Sequence, residues 1–208
     1  MRIQPFMSFL QSSLQLDLNK TTYFLTDVDF VGGWEVWLQC NIGFAGRNAV
    51  GRARMTREAC YPSQFGGQYL SYNILTQAVA VTPNANAAAR CDFLLENTVG
   101  LADSTYVELK CATSSESSVN TWQRFANDLS KIQALTGANP NINAAALLAI
   151  HATLDPQQIA AISNNLPRNT SFVLDYSPGP GQQPLMTTIP NVASGGAPRM
   201  LLFGVSPH

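Results

Sequence analysis

The sequence predicts an α/β protein in which a mixed central β-sheet is flanked by helices. Three observations lead there. Residues 121–137, TWQRFANDLSKIQALTG, set Trp122, Phe125, Leu129 and Ile132 at helical spacing, with Gly137 as a stop. Runs rich in β-branched and aromatic residues (CDFLLEN, TYVELKCAT, SFVLDYS, MLLFGVS) are interleaved with such helical stretches. The first two runs are joined by residues 98–104, a connection short enough for a hairpin. The predicted order is helix, three strands, helix, strand, helix, strand, strand. At 208 residues with no repeat period and no charged linker, the chain reads as a single domain, 1–208.

Taken in order, the first twenty residues scatter apolar side chains among Gln and Ser and lack the continuous apolar region of a secretory leader. Residues 22–40 open with an alternating apolar stretch, turn at Gly32-Gly33 and enter a helix carrying Glu35. A turn is expected at Gly46–Gly51. MTREACYP and YNILTQAVAVTP read as strands stopped by Pro62 and Pro83. After CDFLLEN and TYVELKCAT, the polar SSESSVN leads into the 121–137 helix. Ala145 to Leu154 reads as a buried strand, and Asp155-Pro156 supplies an N-cap and a first-turn proline to a short helix, PQQIAAISNN. SFVLDYS and MLLFGVS close the chain. Between them, Pro178 to Arg199 is Pro/Gly/Ser-rich and too long for a silent connector, so a functional loop or a disordered one is expected at 178–199. The longest apolar run, Ala144 to Leu154, is too short to span a bilayer. The expectation is a soluble protein without a membrane partner, cytoplasmic or exported without a cleaved signal peptide.

Charged residues make up only 12% of the chain and the net charge is -1, which argues neither for nor against a polyanionic partner. Four of the arginines, Arg47, Arg52, Arg54 and Arg57, fall in one short segment. They form either a basic strip or ordinary solvated arginines. Cys40, Cys60, Cys91 and Cys111 show no CxxC pair, which disfavours a zinc knuckle; buried free thiols are expected. Two histidines and no nucleophile elbow make Ser-His-Asp or Cys-His hydrolysis a poor fit, and His151 reads as a core histidine. Asp27 and Asp29 alternate with Val28 and Phe30 without a basic partner, so they read as a solvated face. Trp34, Trp37 and Trp122 sit at helical spacing and read as core.

The chemistry concentrates elsewhere. On a strand, Glu108 and Lys110 project from one face while Leu109 and Cys111 point to the other. If CDFLLEN pairs with TYVELKCAT, Asp92 joins that face. Placing two carboxylates and an ammonium there costs several kcal/mol unless something compensates. A divalent cation fits, since Mg²⁺ takes one or two carboxylates plus waters and phosphate oxygens. The lysine then has a separate task, holding an attacking water or stabilising charge on a phosphorus.

An Asp followed at a distance by Glu-x-Lys on a hairpin strand resembles the PD-(D/E)XK, or restriction-endonuclease-like, nuclease superfamily, over roughly residues 30–155. The matching residues are Asp92, Glu108 and Lys110, embedded in DFLL and YVELK. The resemblance implies a core of order αβββαβ, with Asp92 and Glu108 as ligands of Mg²⁺ (Mn²⁺ as substitute) and Lys110 assisting the attacking water. Members often add a Glu from the first helix; Glu35 is the candidate and Glu58 its rival. The helix after the Glu-x-Lys strand nominates Gln123, although Asn127 stands where a Gln-x-x-x-Tyr motif would place its Tyr. The implied activity is hydrolysis of DNA with little sequence specificity, the DNA held partly through Arg47, Arg52, Arg54 and Arg57. The small size fits an antibacterial toxin nuclease, whose partner would be an acidic immunity protein. The alternatives are a non-catalytic interaction protein retaining the fold, and a nuclease acting on RNA or on damaged or branched DNA.

Overall fold

Residues 144–150, AAALLAI, are buried on both faces of the strand they form, so the chain is built around them. In the computed structural model, which describes residues 3–21, 33–50, 54–96, 104–112, 118–166, 171–177 and 182–207, this strand is β6 (Asn143–Ala152). It lies at the centre of a seven-stranded sheet of order β1-β4-β5-β6-β9-β7-β8. The other members are β1 (Arg54–Arg57), β4 (Phe93–Glu96), β5 (Thr105–Cys111), β7 (Ser171–Asp175), β8 (Leu185–Thr188) and β9 (Arg199–Val205). β5 and β6 are parallel and every other neighbouring pair is antiparallel, which makes the sheet mixed. A separate antiparallel hairpin, β2 (Tyr69–Asn73) and β3 (Ala78–Thr82), is inserted between β1 and β4.

Alternation along β4 and β5 feeds two apolar layers. Phe93, Leu95, Val107, Leu109 and Cys111 face α1 (Ile3–Ser13) and α2 (Gly33–Val50), together with Phe6, Met7, Leu38 and Ile42. Leu94 and Tyr106 face the other way, toward α3 (Ser118–Ala138) with its Phe125, Ile132 and Leu135. The parallel step from β5 to β6 runs through α3, whose length suits such a crossover. Asp155 caps α4 (Pro156–Asn165) through a reciprocal capping box with Gln158, as the Asp-Pro start predicts. Among the described residues no helix is long and apolar enough to cross a membrane.

The mixed α/β class agrees with the sequence reading, but the element order is fuller than expected: among the described residues two helices open the chain, five strands rather than three precede α3, and three rather than two follow α4. Four local expectations are also corrected. The turn expected at Gly46 is helix, because α2 buries Leu38, Ile42 and Ala45 on one face and continues to Val50; Gly43 lets the Met55 thioether of β1 pack directly on its backbone. YNILTQAVAVTP is not one strand but the end of β2, a turn in which Gln77 takes φ 54°, and β3. Within 178–199, the segment Leu185–Thr188 pairs with β7, and Arg199 binds the Asp175 carboxylate and the carbonyls of Ala193 and Gly195, so this stretch is structured over residues 182–199. Of the four free thiols only Cys91 and Cys111 are buried; Cys40 is exposed and Cys60 half-buried. The N-terminal twenty residues contain α1, which packs on β7, β8 and β9 and extends the core beyond residues 30–155. Asp27 and Asp29 lie outside the described residues.

The docking of α1 depends on Gly204, since a Cβ there would collide with the buried Met7 sulfur. Gly204→Ala should lower the unfolding free energy by about 1–3 kcal/mol. Gly204→Ala combined with Met7→Ala should lose less than the sum of the single losses in urea titrations. Strict additivity would contradict this packing.

Candidate active site

Strand alternation puts Tyr106, Glu108 and Lys110 on the face of β5 that looks toward α3. Glu108 is 3% exposed. Its Oε1 accepts a hydrogen bond of 2.7 Å from the Tyr61 hydroxyl and lies 2.7 Å from Lys131 Nζ on α3. Lys131 also donates to the Arg90 carbonyl and stands 5.7 Å over the Tyr61 ring. Burial dominates nonetheless and pushes the Glu108 carboxyl up to about 7, against the pull of Lys131 and the Tyr61 hydroxyl.

Two residues along, Lys110 Nζ lies 3.3 Å from Asp128 Oδ2 and 3.7 Å from Asp92 Oδ2, and 3.2 Å from the Leu109 carbonyl oxygen. Burial works against the ammonium, but Asp128, Asp92 and Glu35 outweigh it and hold its pKa above the ordinary lysine value. The Asp128 carboxyl is raised by burial despite Lys110. Among the described residues its buried Oδ2 has no hydrogen-bond partner of good geometry, and Lys110 at 3.3 Å is the cation that faces it.

Asp92 departs from the sequence reading in its backbone. It occupies a bend before β4 instead of a strand position, because β4 and β5 stop pairing at Phe93↔Val107. Beyond that point the Asp92 carboxylate takes over the ladder's role: Oδ2 accepts the Leu109 amide at 2.6 Å. The side chain still reaches the same cluster as Glu108 and Lys110, and its charge acts on both.

Glu35 stands in the first turn of α2, half-buried. Burial raises its carboxyl, with Lys110, Asp92, Arg124 and Asp128 close enough to act on it. Glu58 is exposed at φ 54° and meets the cluster through its backbone alone, donating its amide to the Asp92 carbonyl while its own carbonyl accepts Arg90. Between the two rivals it is the Glu35 carboxyl that joins the charged group. Gln123 is exposed on α3 and bonds Asn127. Arg54 and Arg57 are exposed on the edge strand β1, but their spacing and their partners Glu96 and Phe93 put them on opposite faces. Arg47 is exposed in the last turn of α2, and Arg52 lies outside the described residues. The basic strip is thus split between two sides of an edge. Trp34 is buried, and Trp122 packs edge-on against Phe125 and Phe203.

The sequence reading missed Tyr61, Asp128, Lys131 and Arg124. A signal existed for two of them: Asp128 and Lys131 fall between the buried positions Phe125, Leu129, Ile132 and Leu135, and Lys131 is one of only three lysines in the chain.

Carboxylates outnumber lysines here: Glu35, Asp92, Glu108 and Asp128 against Lys110 and Lys131. Among the described residues no three His, Cys, Asp or Glu side chains gather as a ready-made metal cage. The donor set fits a hard cation that keeps most of its water and draws on one or two carboxylates, as Mg²⁺ and Mn²⁺ do. Asp92 and Glu108 are the two carboxylates that would suit such a cation, because hydrogen bonds to a single oxygen of each already fix both in place.

The Glu108 shift has a measurable consequence. Between its ordinary value of 4.5 and about 7 the folded chain keeps a proton that the unfolded chain has released, so stability falls as pH rises through that window. A single group displaced this far contributes up to about 3 kcal/mol. Glu35 and Asp128 are raised too and act in the same direction. Thermal melts without metal from pH 5 to 8 should show a falling midpoint that Glu108→Gln flattens. Equal slopes in wild type and variant would refute the shift.

No protein-family model matches the chain, and no curated protein or solved structure matches it either. The functional reading therefore rests on its own residues.

Proposed function

We propose that this chain is a metal-dependent nuclease that hydrolyses phosphodiester bonds of DNA with little sequence specificity. The observation that carries it is the convergence of Glu108 and Lys110 from β5, Asp92 from the bend before β4 and Glu35 from α2 on one partly buried acidic cluster. The element order supports the same reading. α2, β1, β4, β5, α3 and β6 follow the order αβββαβ, with β5 and β6 parallel and the β2–β3 hairpin as an insertion.

Each residue has a task in this reaction. Asp92 and Glu108 hold the cation, and their fixed oxygens spare the reorganisation that a mobile carboxylate would need. When bound, the cation polarises the phosphate and offsets its charge. Lys110, kept charged by Asp92 and Asp128, donates to the attacking water or to the phosphoryl oxygens as negative charge builds there. Glu35 adds a carboxylate at the rim. Arg47, Arg54 and Arg57 contact backbone phosphates on the two sides of the β1 edge, a contact that reads no bases. A toxin role opposed by an acidic immunity protein would follow the same site, the partner covering these cations.

A second reading has one observation in its favour: Tyr61 and Lys131 are both committed to Glu108, as in a purely structural network that leaves the chain a non-catalytic interaction protein. Supercoiled plasmid separates the two. With Mg²⁺ the wild type should nick it, and EDTA should abolish nicking. Lys110→Ala should slow the reaction by roughly 10²–10⁴-fold. Asp92→Asn, which keeps an acceptor for the Leu109 amide, should do likewise while melting within a few degrees of wild type. A wild type without Mg²⁺-dependent nicking would sink the enzyme reading, and RNA run beside the plasmid identifies the polymer cut.

A further inference from the structure

The inserted hairpin is the part of the molecule least like the rest. Residues 59–89 contain no Asp, Glu, Lys, Arg or His, although charged residues occur on both sides of them at Glu58 and Arg90. Large apolar side chains are exposed at both of its ends. Ile74 and Leu75, at the turn, are 62% and 91% exposed, and Phe65 and Val81, at the base, are 63% and 45% exposed. Beside Phe65 and Val81 lies a hollow of about 180 Å³, also lined by Val79 and Ala138.

β3, with the sequence AVAVT, pairs only with β2 among the described strands. Its free edge can be assigned residue by residue. The Leu70 amide and carbonyl are used by the Tyr61 carbonyl and the Ala89 amide, on the side of β2 away from β3. Tyr69, Ser71 and Asn73 therefore bond across to Thr82, Ala80 and Ala78, and the amides and carbonyls of Val79 and Val81 point outward. Natural edges of this kind are blunted by Lys, Pro or a bulge. This one carries none of them before Pro83.

We infer that the β3 edge pairs with the β3 edge of a second copy of this chain, antiparallel about a two-fold axis at Ala80. In that register Val79 lies opposite Val81 of the second copy, and Val81 opposite its Val79. Both are hydrogen-bonded pairs, so every outward amide and carbonyl of the two residues is used, and the two hairpins become one four-stranded sheet. A one-residue slip would place outward-facing groups against inward-facing ones. The rotation also exchanges ends, laying the exposed Ile74 and Leu75 of each copy along the exposed base of the other, where Phe65, Val81 and the hollow lie. Charge does not oppose this partner: the segment 59–89 carries none, and a net charge of -1 adds little repulsion between copies.

Sedimentation velocity on the full chain tests this. Wild type should shift from monomer to dimer with rising concentration in the micromolar range. Ala80 is exposed and sits on the axis, opposite itself, so Ala80→Lys and Ala80→Glu each place like charges in direct contact and should raise the dissociation constant by about tenfold or more. An equimolar mixture of the two variants should regain dimer, which a merely misfolded hairpin would not do. Leu75→Lys, in the turn, should weaken association separately. A wild type that stays monomeric overturns the self-pairing and leaves the edge to a strand of another protein. Dimerisation unaffected by the charged Ala80 variants overturns it as well.

Discussion

Glu108 is a carboxylate carried into the interior by the alternation of β5, and much of the surrounding structure exists to make that tolerable. An ion at 3% exposure without partners would cost several kcal/mol. Tyr61, from the segment leading to the β2–β3 hairpin, and Lys131, from the middle of α3, both bond its Oε1. Lys131 spends its remaining capacity on the Arg90 carbonyl and the Tyr61 ring. A single buried oxygen thus ties together the inserted hairpin, the crossover helix and the central sheet. The compensation is incomplete, and the carboxyl stays poised to take up a proton near neutrality.

The second consequence is a division of labour along β5. Val107, Leu109 and Cys111 seal the layer against α1 and α2, while Glu108 and Lys110 face α3. Moving outward along that charged face, ion pairing loosens from contacts of 2.7 Å at Glu108 to 3.3 and 3.7 Å at Lys110, whose side chain is 19% exposed. The deep end fixes geometry and the outer end can meet a substrate. Asp92 links the two by spending one oxygen on the Leu109 amide where the strands part. Such a gradient suits a site that must be rigid before a polyanion arrives.

How far the sequence discloses this depends on which rule governs each residue. Period-two alternation is local and strong, so the shared face of Glu108 and Lys110, the long helix 118–138 and the cap at Asp155 can all be read directly from the chain. Asp92 was legible as a member of the cluster but not as a bend, because its carboxylate competes with the backbone for one amide, a contest decided by tertiary contacts. Asp128 and Lys131 were hidden for a different reason. A charged residue on an amphipathic helix ordinarily marks the wet side, and these two are exceptions only because β5 presents charges opposite them. The helix through Gly46 and the pairing of Leu185–Thr188 with β7 likewise follow from burial against neighbours that are remote in the sequence. The four-arginine segment looked continuous in sequence, yet strand alternation on β1 divides it.

The central claim is that Asp92 and Glu108 together hold a hard divalent cation at this cluster. Crystals grown without metal and then soaked in Mn²⁺ test it most directly, through the anomalous difference map. The account predicts one strong peak between the Asp92 and Glu108 carboxylates, with Lys131 retained on Glu108 or displaced from it, and no such peak in Asp92→Asn crystals. A map without a peak there at saturating Mn²⁺, or a peak that persists in the variant, would contradict it.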